Sequence, residues 1–260
     1  MKPYRPLPRT AHPGGAGTRE LAEEVAIAIS YNGSTQAVMM ASPADLEDFA
    51  YGFSLTEAIA RPEEIESVTP VETPRGIDLQ IWLTAEAAAR QTSRRRSMMG
   101  PVGCGLCGID SLEEALRDAP AVRADLRLTP SQVMEAIAAL PAHQPFHDAT
   151  RAVHAAGFWT PVNLIVREDV GRHNALDKLA GAMRGQDATG ALVLTSRVSI
   201  DLVQKAARIG APVLIAVSAP TAHAVRMAVD AGITLIALAR PDRFEIFTHP
   251  HRIEKARDVA

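Results

Sequence analysis

The sequence predicts an α/β protein, α+β overall, in which a smaller N-terminal α+β unit precedes a larger α/β core. Three observations carry this. From about residue 160, apolar five-residue runs alternate with helix-periodic segments, the pattern of a mostly parallel sheet covered on both faces. Near the start, Asn32-Gly33 separates two apolar runs, a strong hairpin signal. The chain has 260 residues and is 47% hydrophobic, enough to bury a real core.

In chain order, residues 1–18 are rich in Pro, Gly and Arg and read as a flexible tail. Residues 19–90 form the N-terminal unit. Val25 to Ile29 and Ala37 to Met40 are its hairpin strands. A helix is expected next, with Ser42 as cap, Pro43 at the first helical position, and Leu46, Phe49 and Phe53 at helical spacing. Ile77 to Leu83 alternates like a strand. Residues 91–110 combine glycines, a proline and the run Arg94-Arg95-Arg96, and read as a mobile loop. Residues 111–260 form the core. Ser111 with Glu114, and Thr129 with Gln132, are capping boxes for two short helices.

Three strand–helix steps and a fourth strand follow. Val162 to Val166 leads to a helix through Leu176 and Leu179. Ala191 to Thr195 leads to one through Leu202, Ala206 and Ile209. Pro212 to Val217 leads to one opened by Pro220, and Ile233 to Leu238 comes next, with Phe244 to Phe247 as an edge strand.

The net charge of -3 gives no sign of a nucleic-acid partner or an anionic membrane surface. The N-terminus lacks an apolar signal core, and no stretch approaches the ~18 apolar residues of a membrane span. Two cysteines are too few for a disulfide-stapled secreted fold. A cytoplasmic protein with reduced thiols is expected.

Ligands of open parallel sheets bind beyond the carboxyl ends of strands, where helix N-termini point. The loops after Val166, Leu194, Val217 and Leu238 carry arginines and hydroxyl residues. Arg172, Arg197, Arg240 and Arg243 are candidate phosphate contacts, with Ser196, Ser218 and Thr221 adding hydroxyls. Taken singly, each loop is as well explained by ordinary caps and surface charge; it is the group of four that points to a phosphate-bearing ligand.

The second feature is Gly103-Cys104-Gly105-Leu106-Cys107-Gly108. A Cys-x-x-Cys serves as a redox dithiol, half a zinc site or a sulfur-transfer site. A zinc site lacks its further cysteines here; His143, His147 and His154 are available but show no paired spacing. A thioredoxin-type dithiol sits at a helix start after a strand, and this one is far from the strand–helix repeats. Bracketing glycines leave exposed thiols on a pliant loop, which suits a thiol that visits two partners. Zinc nucleobase deaminases carry His-x-Glu; here His154-Ala155-Ala156 lacks the glutamate, so metal-assisted deamination is not expected and no metal site is assigned.

Several segments together resemble the FdhD family of formate dehydrogenase accessory sulfurtransferases: GCGLCG after an arginine run, EDVGRHNALDK, TSRVSIDLVQKA, VSAPTAHAV, TLIALARPDRFEIFTHPHR, and SPADLEDFAYGF near the start. The resemblance runs from about residue 23 to 253. It implies a cytidine-deaminase-like three-layer core without deaminase activity. It also implies a sulfur carrier that takes persulfide sulfur from a cysteine desulfurase onto Cys104, with Cys107 as partner. The sulfur then goes to the molybdenum bis-molybdopterin guanine dinucleotide cofactor before its insertion into formate dehydrogenase.

The family's cofactor contacts fall on Leu238, Ala239, Arg240, Pro241, Asp242 and Arg243. His154 and His173 join the site on the family pattern, GDP or GMP are the expected mimics, and a homodimer is implied. The sequence departs from the family where Arg151 and Ala58 stand at usual glycines and Ser54 at a usual leucine. A thiol–disulfide oxidoreductase and a non-catalytic cofactor chaperone are the competing classes.

Overall fold

A computed structural model describes residues 1–98 and 119–254, with the side chains of 94–98 left aside. Three sheets are present among them. No described helix is long and apolar enough to cross a membrane.

The first sheet corrects the expected tail. β1 (Tyr4–Ala11) pairs antiparallel with β2 (Gly15–Ala22). Gly14 and Gly15 both take positive φ at the turn, and Pro6 and Pro8 lie two apart, so both can turn their missing N–H away from the partner. Tyr4 stacks on Phe146 at 5.8 Å, which anchors the hairpin to the core. Proline content alone suggested disorder; the tertiary contact decides otherwise.

The N-terminal unit is a four-stranded sheet in the order β4-β3-β6-β5: β3 (Val25–Tyr31), β4 (Ser34–Ala41), β5 (Ile65–Thr73) and β6 (Gly76–Leu83). The Asn32-Gly33 turn is as expected, with φ of 48° and 78°, the left-handed pair a type I′ turn needs. Ile27, Ile29, Leu79 and Ile81 form its buried face. Helix α1 (Leu46–Thr56) packs Phe49 and Phe53 on that face. β5 escaped the sequence reading because it is an exposed, mostly polar edge strand containing Pro70. Helix α2 (Ala85–Met98) continues through residues 91–98, which were read as loop; alanine, arginine and glutamine favour helix and outweigh the charge run. The remainder of the expected loop, and the helix expected at Ser111, lie outside the described residues.

The core has α3 (Pro130–Ala139), α4 (Pro145–Thr150), β7 (His154–Thr160), β8 (Asn163–Asp169), α5 (Arg172–Ala182), β9 (Ala191–Leu194), α6 (Ile200–Ile209), β10 (Val213–Ala216), α7 (Ala222–Asp230), β11 (Thr234–Arg240) and β12 (Arg243–Ile246). Thr129 caps α3 in the expected box with Gln132. The six-stranded sheet runs β12-β11-β10-β9-β7-β8. It is mixed rather than mostly parallel: β9, β10 and β11 are parallel, whereas β7, β8 and β12 enter through antiparallel pairings. The reason is local. Two-residue connections at Pro161-Val162 and Pro241-Asp242 can only reverse the chain.

Two reversals through β7 restore the direction of β8, so β8, β9, β10 and β11 all end on one edge. Leu192, Leu194, Leu214 and Leu235 face α5, α6 and α7. Val193, Val213, Ile215 and Ile236 face α3. The core is therefore a helix–sheet–helix stack of three layers.

The units meet where α1 crosses α5. A Cβ on Gly52 would lie 1.6 Å from the Asp177 carbonyl oxygen, and one on Gly181 1.9 Å from that of Asp48, so neither position admits a side chain. Buried ion pairs surround the crossing. Lys178 and Asp169, both with 0% side-chain exposure, are 2.6 Å apart. Ser42 is part of this knot and does not cap α1: its N–H donates to Asp169 (3.0 Å), its hydroxyl accepts from Val170 (3.1 Å) and its carbonyl accepts from Lys178 (2.9 Å). α1 starts instead at Asp45, whose backbone is left-handed. Lys205 of α6 donates to Glu57 (2.6 Å), Asp177 (2.8 Å) and Thr56 (3.1 Å). Burial works against the Lys205 ammonium, yet Asp177 and Glu57 outweigh it and raise its pKa above the ordinary lysine value.

Candidate functional site at the carboxyl edge of the core sheet

The shared edge of β8, β9, β10 and β11 carries the starts of α5, α6 and α7, and the first residue of β7. Backbone bonds stitch its loops together. Val217 donates to Leu194 (2.9 Å), Val198 and Pro220 form a parallel bridge, and Leu238 donates to Ser218 (3.3 Å). The ends of β9, β10 and β11 are thus tied to one another by backbone hydrogen bonds.

At the β11 end, Leu238 has a φ of 53° beside a register shift between Ala237 and Arg240. A bulky residue in the left-handed region is strained, and strain of this kind collects at functional sites. Leu238, Arg240, Arg243, Phe244 and Glu245 line a cavity of about 220 Å³. Arg240 folds back to donate to the carbonyls of Val217 (2.6 Å) and Ala239 (2.8 Å), which fixes its guanidinium over the β10–β11 edge. Pro241 and Asp242 form the exposed turn, and Arg243 lies 3.5 Å from Asp242. Ala239 is different: its side chain is buried against the α3 side of the sheet, so it offers a ligand only backbone.

At the β9 and β10 ends the hydroxyls separate. Thr221 caps α7, its hydroxyl accepting from the Ala224 N–H at 3.1 Å, which leaves the hydroxyl proton to donate. Ser196 is buried and donates to the Arg197 carbonyl at 2.9 Å. Arg197 is exposed and Ser218 half-buried.

At the β8 end, His154, Arg172 and His173 form a second cluster. Burial, then the Arg172 guanidinium, then His147, hold the His154 pKa below the usual histidine value. His173 is lowered by burial first and by Arg172 second, with Asp201 opposing them. Arg172 Nε is buried and has no hydrogen-bond partner; no other buried side-chain nitrogen or oxygen among the described residues is in that position.

His173 Nε2 lies 3.5 Å from Ser199 Oγ and 3.7 Å from Asp201 Oδ2. The sequence reading missed Ser199 and Asp201; the available signal was an N-cap serine with an acid two residues on, opposite a histidine at the start of the preceding helix. His143 and His147 turn their Nδ1 atoms to the carbonyls of Ala139 and Val153, at 3.1 and 3.2 Å. Among the described residues no three His, Cys, Asp or Glu side chains converge as a metal site. Cys104 and Cys107 lie outside the described residues.

Comparison with known proteins bears on this geometry. The model of the FdhD/NarQ family matches residues 22–254. A sulfur carrier protein FdhD of Agrobacterium fabrum is 52% identical over 264 residues, covering 96% of each chain. Its namesake in Cupriavidus necator is 46% identical, covering 93% of this chain and 86% of the relative. A crystal structure from Desulfotalea psychrophila, described as a proposed formate dehydrogenase accessory protein, superposes with a TM-score of 0.74 at 28% identity, over 96% of this chain and 98% of that one. The family match over residues 22–254 and the 52% identity over 96% of the chain span both units, and the chain belongs to the FdhD/NarQ family.

Proposed function

We propose that this protein carries sulfur on Cys104. A thiolate at Cys104 attacks the outer sulfur of a cysteine desulfurase persulfide. The new sulfur–sulfur bond forms as the old one breaks, and the desulfurase cysteine leaves as thiolate, so no oxidant is consumed. Cys107, three residues on, is placed in sequence to assist release of the carried sulfur.

The acceptor is the molybdenum bis-molybdopterin guanine dinucleotide, sulfurated before a formate dehydrogenase catalytic subunit receives it in the cytoplasm. Its guanine nucleotide ends suit the carboxyl edge of the core sheet, where Arg240 and Arg243 border a cavity and Arg172 and His173 flank a helix start. The observation that carries the reading is the confinement of both cysteines to one glycine-bracketed motif, in a chain 52% identical to a protein named as a sulfur carrier.

Intact mass measurement after incubation with a cysteine desulfurase and cysteine tests it. Wild-type protein should gain one sulfur, and Cys104→Ala should gain none. An unchanged wild-type mass, or equal gain in Cys104→Ala, overturns carriage on Cys104. An internal disulfide without added sulfur would assign thiol–disulfide exchange instead.

A further inference from the structure

On the reading of the sheet edge as a nucleotide site, we propose that Arg172 and His173 form a proton-coupled seat for the ligand's diphosphate, with Ser199 and Asp201 as positioning residues. His173 takes up a proton as the diphosphate docks and donates it in a hydrogen bond to a phosphate oxygen.

A diverted helix cap is the first observation. Ser199 occupies the N-cap of α6 with extended backbone (φ -99°, ψ 171°), the conformation in which serine normally accepts a bond from the first turn, yet its hydroxyl makes no such bond. It lies 3.5 Å from His173 Nε2 and 3.5 Å from Asp201 Oδ2. Thr221 shows the contrast: at the same position of α7 it caps in the ordinary way, accepting from Ala224 at 3.1 Å. α5 begins at Gly171, which has no side chain to cap with. Two neighbouring helix starts thus reach the same edge without side-chain caps, and His173 stands between them.

The orphaned Arg172 Nε is the second observation. Its N–H is buried without an acceptor in the ligand-free protein, which is costly, while the rest of the half-buried guanidinium reaches the surface. Arginine presents its donors as a fork matched to phosphate oxygens. Lys205 is already paired with Glu57 and Asp177; the Arg172 guanidinium and the partial positive charge of the two neighbouring helix starts are what an anion would meet.

The charges around His173 explain the proton coupling. Arg172 on its own helix, Lys205 and Asp201 on α6, and Glu57 at the end of α1 all act on it. Without ligand, burial, Arg172 and Lys205 hold its pKa below the usual histidine value, and Asp201 and Glu57 only partly oppose them. A docked diphosphate adds negative charge beside the ring and raises its pKa. The gain in affinity is then complete below the ligand-free pKa and is lost as pH rises through the ligand-bound pKa.

The test is calorimetric titration of GDP and of guanosine into the full chain, in buffers of differing ionisation enthalpy, at pH about 6 and about 8, on either side of the ordinary histidine value. Wild-type protein should take up protons with GDP and not with guanosine, and should bind GDP more tightly at the lower pH than at the higher. His173→Gln should lose this uptake, leaving only the nucleotide's own titration. Asp201→Asn should retain uptake with its transition moved to lower pH, because Asp201 raises the His173 pKa; a merely structural role would weaken binding equally at every pH. GDP binding whose uptake is the same in wild type and His173→Gln overturns the seat alone. No GDP binding by wild type at either pH overturns the nucleotide site, and the seat with it.

Discussion

The two larger sheets bury their strands in different ways. The four-stranded sheet is covered on one face. Along β6, Ile77, Leu79, Ile81 and Leu83 are buried, while Asp78, Gln80 and Trp82 point outward, Trp82 with 46% exposure. Val38 and Met40 of β4 are likewise exposed, at 61% and 51%. In the six-stranded sheet β9 and β10 are buried along their whole length. One sheet is a half-buried scaffold and the other a dry partition between helix layers. The partition carries the candidate site, because parallel strands between helices bring several helix starts to one edge, and the alternating sheet has no equivalent convergence.

The largest expected departure from this contrast is at the junction, where the fold depends on buried charge. Lys178→Met removes the cation from a fully buried pair and leaves Asp169 without its counter-ion. Breaking such a pair should cost about 3–5 kcal/mol. Urea unfolding followed by circular dichroism would show it as a large drop in midpoint, and an unchanged midpoint would mean the pair does not hold the units together.

A paired measurement sharpens the comparison of the sheets. Leu192→Ala, between two helix layers, should lose about 2–5 kcal/mol, the usual result of truncating a core leucine. Val38→Ala on the open face should change stability by no more than about 0.5 kcal/mol, as surface substitutions do. A large loss at Val38 in the isolated chain would show that this face is covered.

Smaller gains are expected at two positions that favour glycine. Ala58 and Arg151 both take left-handed backbone, with φ of 54° and 59°. Left-handed conformation costs a residue with a side chain about 1–2 kcal/mol, partly offset by the greater unfolded entropy of glycine. Ala58→Gly and Arg151→Gly should each stabilise the protein by somewhat under about 1 kcal/mol, seen as a small rise in thermal midpoint. Arg151 would lose only an exposed contact with Asp148.

Elements with local chemistry were legible in the sequence: the Asn32-Gly33 turn, the Thr129 capping box, and the strand–helix alternation after β8. Elements fixed by distant partners were not. At Gly157 in β7 a Cβ would meet Leu140 and Leu164, each at 3.2 Å, and the short side chains of Ala155, Ala156 and Gly157 hide the strand signal. The hairpin of residues 4–22 relies on Phe146, and Ser42 serves Asp169 and Lys178 rather than its own helix.

The same division runs through the candidate site. The loops rich in arginine and serine could be read directly, and the shared direction of β8 to β11 brings them to one edge. That Ala239 would face inward depends on how β11 packs on α3, and that Asp201 and Ser199 would attend His173 depends on how α5 and α6 lie beside one another. No spacing in the sequence records that.

The knot around Ser42 and Glu57 also sets an order of events during synthesis. These residues leave the ribosome long before their partners: Asp169 and Lys178 follow Ser42 by more than a hundred residues, and Lys205 follows Glu57 by still more. Until then α1 exposes its glycine face, shaped to receive α5. Domains usually complete in the order they are translated. Here the contacts that join the two units close only after the helices that bear the site have emerged.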